Sequence, residues 1–282
     1  MQTTISATLT KAYPGMQDGL DRFHDVITGI VEQAATPAGI APGLLCVRGT
    51  GGDKTVRVPV TVATDADAIS GTAIATSNAT QALDTELVGV IGTGRISPAR
   101  KVTIQRSSHA NQDAVTAVLT GIDQDGKLVT ENFSFADGGG DTFTSSNYYS
   151  YVVSLVIPAQ GGSGGTTEIG INSTFAFGAY ELMGIMLREH KALNTQSSSD
   201  NEVHEHQTEA PVIRRGYVWV TSETTARAGD QAYARAIAAG AELRGAFRAE
   251  GTDSGDSAAV PGVRYVTSVT SAPGLALLEI NL

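Results

Sequence analysis

Strand-length apolar segments, broken at short intervals by glycine, restrict the fold of this chain more than any other feature. Leu128-Val129-Thr130-Glu131-Asn132-Phe133-Ser134-Phe135 alternates in character, the period of a strand with one buried face. The turn sequence Gly121-Ile122-Asp123-Gln124-Asp125-Gly126-Lys127 precedes it and Gly138-Gly139-Gly140 follows. Strand-like segments at 102–105, 115–120, 148–157 and 166–171 complete a set of five between about 100 and 172. The glycine loops at 138–140 and 161–165 read as flexible hairpin tips. A small β-sandwich is predicted for this middle stretch.

The flanks follow the same grammar with different spacing. After Pro42-Gly43 comes the apolar run Leu44-Leu45-Cys46-Val47, a turn at Gly49-Thr50-Gly51-Gly52-Asp53, and the alternating Val56-Arg57-Val58-Pro59-Val60. That is a hairpin with a longer loop. The opening 30 residues, with Pro14-Gly15 and Asp18-Gly19, read as turns over a surface. Residues 63–100 are poor in large apolar side chains and predict loops, with short strands near 73–75 and 87–91.

Towards the C-terminus an apolar stretch at 178–187 precedes a polar surface loop at 191–209, and strands are expected at 212–220, 231–234, 263–269 and 275–280. The alanine-rich segment 234–243 has helical character, but Gly240 and Gly245 bracket it and it reads as a loop. With 32 glycines and 6% aromatics, the chain is predicted to be all-β.

Charge and composition exclude several classes. The formal net charge is −10, and the densest basic pair is Arg214-Arg215, so a nucleic-acid partner is not expected. Cys46 is the only cysteine; it sits in an apolar run and reads as a buried small hydrophobe. The opening Met1-Gln2-Thr3-Thr4 lacks a secretory pattern, and no apolar run approaches the roughly 18 residues of a membrane span. A protein made in a cytoplasm and soluble until it assembles is expected, with no membrane partner.

No constellation for catalysis or cofactor binding stands out. Asp123-Gln124-Asp125-Gly126 starts like a calcium loop but lacks the later oxygen ligands, and reads as turn chemistry. His204-Glu205-His206 puts two imidazoles on one face of an extended segment, with His190, Glu202 and Glu209 as further possible ligands; a solvated or interface loop is the simpler reading. The elbow of a serine hydrolase, the phosphate-binding loop and the zinc-protease helix motif are all missing. Tyr148, Tyr149 and Tyr151 form a cluster that would suit a carbohydrate surface or a subunit contact. Neither an enzyme nor a cofactor or metal site is predicted.

Three sets of residues resemble the structural cement proteins of tailed phages. The first is Ala12-Tyr13-Pro14-Gly15-Met16-Gln17-Asp18-Gly19, and the second Ile40-Ala41-Pro42-Gly43-Leu44-Leu45-Cys46-Val47-Arg48-Gly49-Thr50. The third is an ordered series: Arg215-Gly216-Tyr217-Val218-Trp219-Val220, Ala228-Gly229-Asp230-Gln231-Ala232-Tyr233, Val260-Pro261-Gly262-Val263-Arg264-Tyr265 and Gly274-Leu275-Ala276-Leu277-Leu278-Glu279-Ile280-Asn281. The resemblance spans roughly 1–62 and 178–282, and the middle departs from it. It implies a β-barrel or jelly-roll-like core from residues 1–99 and 173–282, with 100–172 inserted as a separate sandwich, and a capsid decoration protein on the outer surface of the virion. Its expected partners are the major capsid protein and further copies of itself, as a dimer or trimer at local symmetry axes. Tyr13, Pro14, Gly15, Met16, Gln17 and Asp18 are the expected capsid contacts. A tail or baseplate β-protein and a carbohydrate-binding virion protein are the alternatives.

Overall fold

The computed structural model describes residues 12–17, 24–32, 39–60, 64–84, 87, 95–178, 181–188, 203–238, 240, 242–251 and 256–282. Sixteen strands and no helix occur among them. Nine make one sheet: β1 (Asp25–Val31), β2 (Leu45–Arg48), β3 (Thr55–Arg57), β11 (Leu182–Met186), β12 (Glu209–Ser222), β13 (Gln231–Arg235), β14 (Phe247–Arg248), β15 (Ser257–Tyr265) and β16 (Gly274–Asn281). The other seven make a second: β4 (Ile74–Ala75), β5 (Gln81–Leu83), β6 (Arg95–Arg106), β7 (Thr116–Asp123), β8 (Leu128–Ser134), β9 (Thr142–Ile157) and β10 (Thr166–Ala176). The all-β expectation therefore holds.

The nine-stranded sheet closes on itself twice. β12 is long enough to serve both closures: its first half pairs with β1 and β11, and its second half with β16 and β14. One circuit runs β12-β1-β3-β2-β11, the other β12-β14-β13-β15-β16. Val31, Val56, Cys46, Met186 and Val212, one from each strand of the first circuit, share one buried cluster. Val218, Ala232, Phe247, Val263 and Leu278 do the same for the second. Leu45, Ile185 and Ile213 turn the opposite way from Cys46, Met186 and Val212 and join the second cluster. These neighbouring strands are thus buried on both faces, which is why Leu44 to Val47 is an unbroken apolar run instead of an alternating one.

The second sheet runs β4-β10-β6-β9-β7-β8, with β5 on β9. Its centre is β9, whose first half pairs with β6 and whose second half pairs with β7 and β5. Register shifts interrupt both long ladders, between Arg95 and Arg100 and between Thr120 and Gly121. One cluster, containing Ile104, Leu119, Phe133, Leu155 and Ile169, forms its core.

Several boundaries differ from expectation for identifiable reasons. The opening does not remain turn-like to residue 30: Asp25–Val31 is a strand, fixed by pairing with Glu209 to Arg215. β3 ends at Arg57, two residues before Pro59, whose missing N–H cannot continue a ladder. β15 starts six residues earlier than the predicted 263, because the register shift around Pro261-Gly262 lets the strand resume beyond the turn. Leu87 is buried, and the rest of the strand expected at 87–91 lies outside the described residues.

Candidate functional site

The residues expected to contact a capsid lie against the wall of the molecule. The Gly15 N–H donates to the Trp219 carbonyl at 2.6 Å and the Trp219 N–H to the Met16 carbonyl at 2.8 Å, while Gln17 bridges Val218. The segment therefore pairs with β12 between the stretches occupied by β11 and β14. Gly15 is buried, with φ +77°, and an added Cβ would lie 2.5 Å from Cβ of Pro42, so only glycine fits there. Tyr13 is 39% exposed, and the Arg188 guanidinium sits 4.9 Å from its ring centroid. Of the predicted contacts, Tyr13 and Gln17 are exposed and Pro14 and Met16 half-buried; Asp18 lies outside the described residues.

The family-like blocks of the C-terminal third meet one another inside the second circuit. The Gln231 side-chain amide donates to the carbonyls of Val260 and Val263, at 2.7 and 2.9 Å, and fills the bulge at Pro261-Gly262. Gly229 N–H donates to the Tyr265 carbonyl, and Tyr265 N–H to that of Asp230. The Tyr265 and Ser222 hydroxyls lie 2.8 Å apart in the interior, and burial pushes the phenol up to about 12. At the rim of this circuit Arg235, almost fully buried, pairs with Glu223 at 3.1 Å and also with Glu242 and Asp256. These residues hold the barrel together.

A second site joins residues far apart in sequence. A cleft of about 790 Å³ opens between the β2–β3 hairpin and the seven-stranded sheet, lined by Arg48, Arg57, Arg95, Asp53, Tyr151 and Glu181 among others. Pairing of Val47 with Arg57 brings the first two arginines to neighbouring strands. Arg57 donates to the Ser97 carbonyl at 3.3 Å and Arg48 pairs with Asp53 at 3.2 Å. Glu181 is 4% exposed; burial pushes its carboxyl well above the usual range, although the Ala99 N–H and Arg57 pull the other way. Across the hairpin loop, burial alone would raise Glu32, but the Thr50 hydroxyl and Gly51 N–H hold it below the ordinary carboxylate value. Glu32 thereby ties down the loop that forms one lip of the cleft.

The remaining candidates dissolve into structure. His204 is buried with Nε2 2.8 Å from the Leu187 carbonyl, whereas His206 is exposed. Among the described residues no group of three potential ligands could hold a metal. His190 and Glu202 lie outside the described residues. Asp123 Oδ1 accepts from the N–H groups of Asp125 and Lys127, as turn chemistry predicts. The tyrosine cluster does not form one exposed surface: Tyr149 is fully buried with its hydroxyl on Glu131 at 2.8 Å, Tyr148 lies under Lys101, and Tyr151 lines the cleft. Cys46 is buried, and its thiol is pushed up to about 12.

Residues 153–281 match the family described as "Structural cement protein (E217 gp24/Pam3 gp6)". The match begins within β9 and contains β10 to β16, so the whole second circuit falls inside it. The blocks at 12–19 and 40–50 fall outside. No curated protein matches the chain.

Proposed function

We propose that the chain is a structural component of a phage virion that binds the outer surface of the major capsid protein lattice and stabilises the shell, a reading supported by the match of residues 153–281 to the structural cement protein family. The family match over the closed second circuit is the observation that carries this reading. Closure supports it physically, since a barrel without free strand edges can be displayed in many copies without edge-to-edge aggregation. Weak contacts repeated over a lattice add by multivalency. Binding the assembled shell in preference to free subunits stabilises the shell by mass action. Copies meeting at local symmetry axes suit such a lattice, and no catalytic step is part of this role.

Tyr13 to Asp18 are the contacts we assign to the capsid, with Tyr13 as the anchor. It presents an apolar ring with a polar tip beside the Arg188 cation. Purified shells lacking the protein, before and after expansion, provide the test. Added protein is expected to fill the exterior of expanded shells at a copy number comparable to that of capsid subunits. Tyr13→Ala is expected to lower occupancy by about tenfold at limiting concentration while leaving the fold intact. Density confined to the interior or to the tail would overturn the assignment.

A further inference from the structure

The cleft beside Arg57 is unusual for a protein with a net charge of −10. Three arginines, from β2, β3 and the start of β6, face a space within the size range of ligand-binding pockets. A second hollow of about 500 Å³ shares Arg48 and Asp53 with it and adds Lys54 and Arg214. The two adjoin at the Arg48–Asp53 pair, and cations line both; together they make up the groove. Inside it, Arg57 Nε and Glu181 Oε2 are buried with no hydrogen-bond partner among the described residues. Buried polar groups are nearly always paired, so orphans of both kinds, a donor and a carboxyl oxygen, point to a missing occupant.

From this geometry we propose that the groove seats an acidic peptide segment of a neighbouring shell protein, with a side-chain carboxylate of that segment between Arg57 and Arg95. The inference rests on the shell-binding role proposed above. A guanidinium is planar and matches a carboxylate with two parallel hydrogen bonds, which favours this partner. Asp53 already pairs with Arg48 through a single Nη1–Oδ1 contact at 3.2 Å. Glu181 at the floor, whose carboxyl burial pushes up, leaves one oxygen without a partner among the described residues where a peptide N–H could donate. The net charge of −10 opposes a long polyanion more than a short acidic segment, so a nucleic-acid backbone fits worse. The groove's extension to Lys54 and Arg214 suits several residues of extended chain better than a lone small anion.

Titration of the full chain with a hexaglutamate peptide, followed by calorimetry, tests the proposal. Saturable binding that weakens with added salt is expected, with no binding of hexalysine and weaker binding of a six-nucleotide single-stranded DNA. Arg95 is exposed, so Arg95→Glu leaves the fold intact and is expected to weaken hexaglutamate binding at least about tenfold. In the shell assay the same variant is expected to lose occupancy. Unchanged peptide binding by Arg95→Glu, or DNA bound as tightly as the peptide, would overturn the groove assignment. Wild-type protein that decorates shells, paired with an Arg95→Glu variant that does so equally well, would remove the groove and leave the cement role standing. Wild-type protein that binds the peptide but never the shell would remove the cement role and, with it, the identity of the partner.

Discussion

The second circuit and the seven-stranded sheet solve the edge problem of β structure in opposite ways. β12 to β16 return to their starting strand, so each has a neighbour on both sides. The seven-stranded sheet ends at β4 and β8, and β8 opens with Leu128 at 70% exposure. The circuit concentrates its buried charge at one rim, where Arg235 and Arg248 surround Glu223. In the sheet, Glu131 accepts from the N–H groups of Ser146 and Asn147 and from the Tyr149 hydroxyl. One region is stapled through ion pairs between strand ends and loops, the other through a carboxylate on β8 that collects donors from β9, beyond the intervening β7. The contrast teaches that closure and internal polar staples are separate means to one end, a defined register.

The sharpest way to break the comparison is to cut the two regions apart. The sheet uses residues 74–176 for its strands, and Asp65 bridges Ile171. A fragment spanning 64–177 is expected to unfold cooperatively by itself, and calorimetry of the whole chain to resolve two transitions. A fragment of 100–172 alone lacks β4, β5 and the start of β6, and is expected to show no cooperative transition. One indivisible transition in the full chain, with no folded fragment, would mean that the regions are a single unit.

Next in size is the staple at the rim. Glu223→Ala leaves Arg235 with a main partner missing in a buried site, and is expected to cost about 3–5 kcal/mol in denaturant unfolding. If the loss were below about 1 kcal/mol, the network would be decorative.

A smaller effect distinguishes the carboxylates by the sign of their pH dependence. Glu131 is held below the ordinary carboxylate value, since the donors of Ser146, Tyr149 and Asn147 outweigh burial. Its contribution is therefore present above the ordinary carboxylate pKa and fades as pH falls through its folded value. Glu181, at the seam between the regions, is raised by burial, so its folded state is favoured at low pH and weakened as pH rises toward its folded pKa. Glu131→Gln is expected to lower the melting temperature at pH 7 and to change little at pH 3. Glu181→Gln is expected to raise it at pH 8 and to leave it near wild type at pH 4. Melting curves across pH that moved the same way for both variants would erase the distinction.

The smallest effect concerns the open edge. Leu128→Lys is expected to change stability by less than about 0.5 kcal/mol, because the side chain is mostly in solvent. Light scattering on heating is expected to fall, since a charge on an edge strand discourages pairing between molecules. More aggregation in the variant would show that β8 is not the exposed edge that matters.

The strand pattern was legible wherever a strand is half-buried and locally paired. Leu128 to Ser134 alternates and pairs with β7 across the turn at Asp123, and both strand and turn follow from the residues. β1 was not legible: its outward Val26 and Ile30 are exposed apolar residues, so no clean alternation marks it, and its partner is Glu209 to Arg215. β14 has two residues and no period to read. The turn at Pro14-Gly15 was legible, but its seat on β12 was not, because nothing local encodes a gap between β11 and β14. The groove was hidden for the same reason. Arg48, Arg57 and Arg95 are isolated single cations along the chain, and only the β2–β3 register and the approach of the second sheet assemble them. The blocks most readily recognised, around Gln231 and Pro261, serve the barrel's interior and mark the scaffold more than the contact face.

The double use of β12 also fixes an order of events during synthesis. A chain leaves the ribosome from its N-terminus, and domains tend to fold as they emerge. β1 is made long before its antiparallel partner β12, and Asp25 meets Arg215 only once all the intervening chain has been made. The strands from β4 to β10, by contrast, have all their paired strands and bridges among residues 65–176. The central sheet can therefore form while β1 waits, and both rings are sealed last, the second of them by β16 against β12. Such distant pairings carry a large loop-closure cost and fold slowly. A nascent chain stalled before residue 209 would thus leave β1 with only β3 at Ile30 and Val31 and without its long partner β12, making this an interval in which the protein needs protection from aggregation.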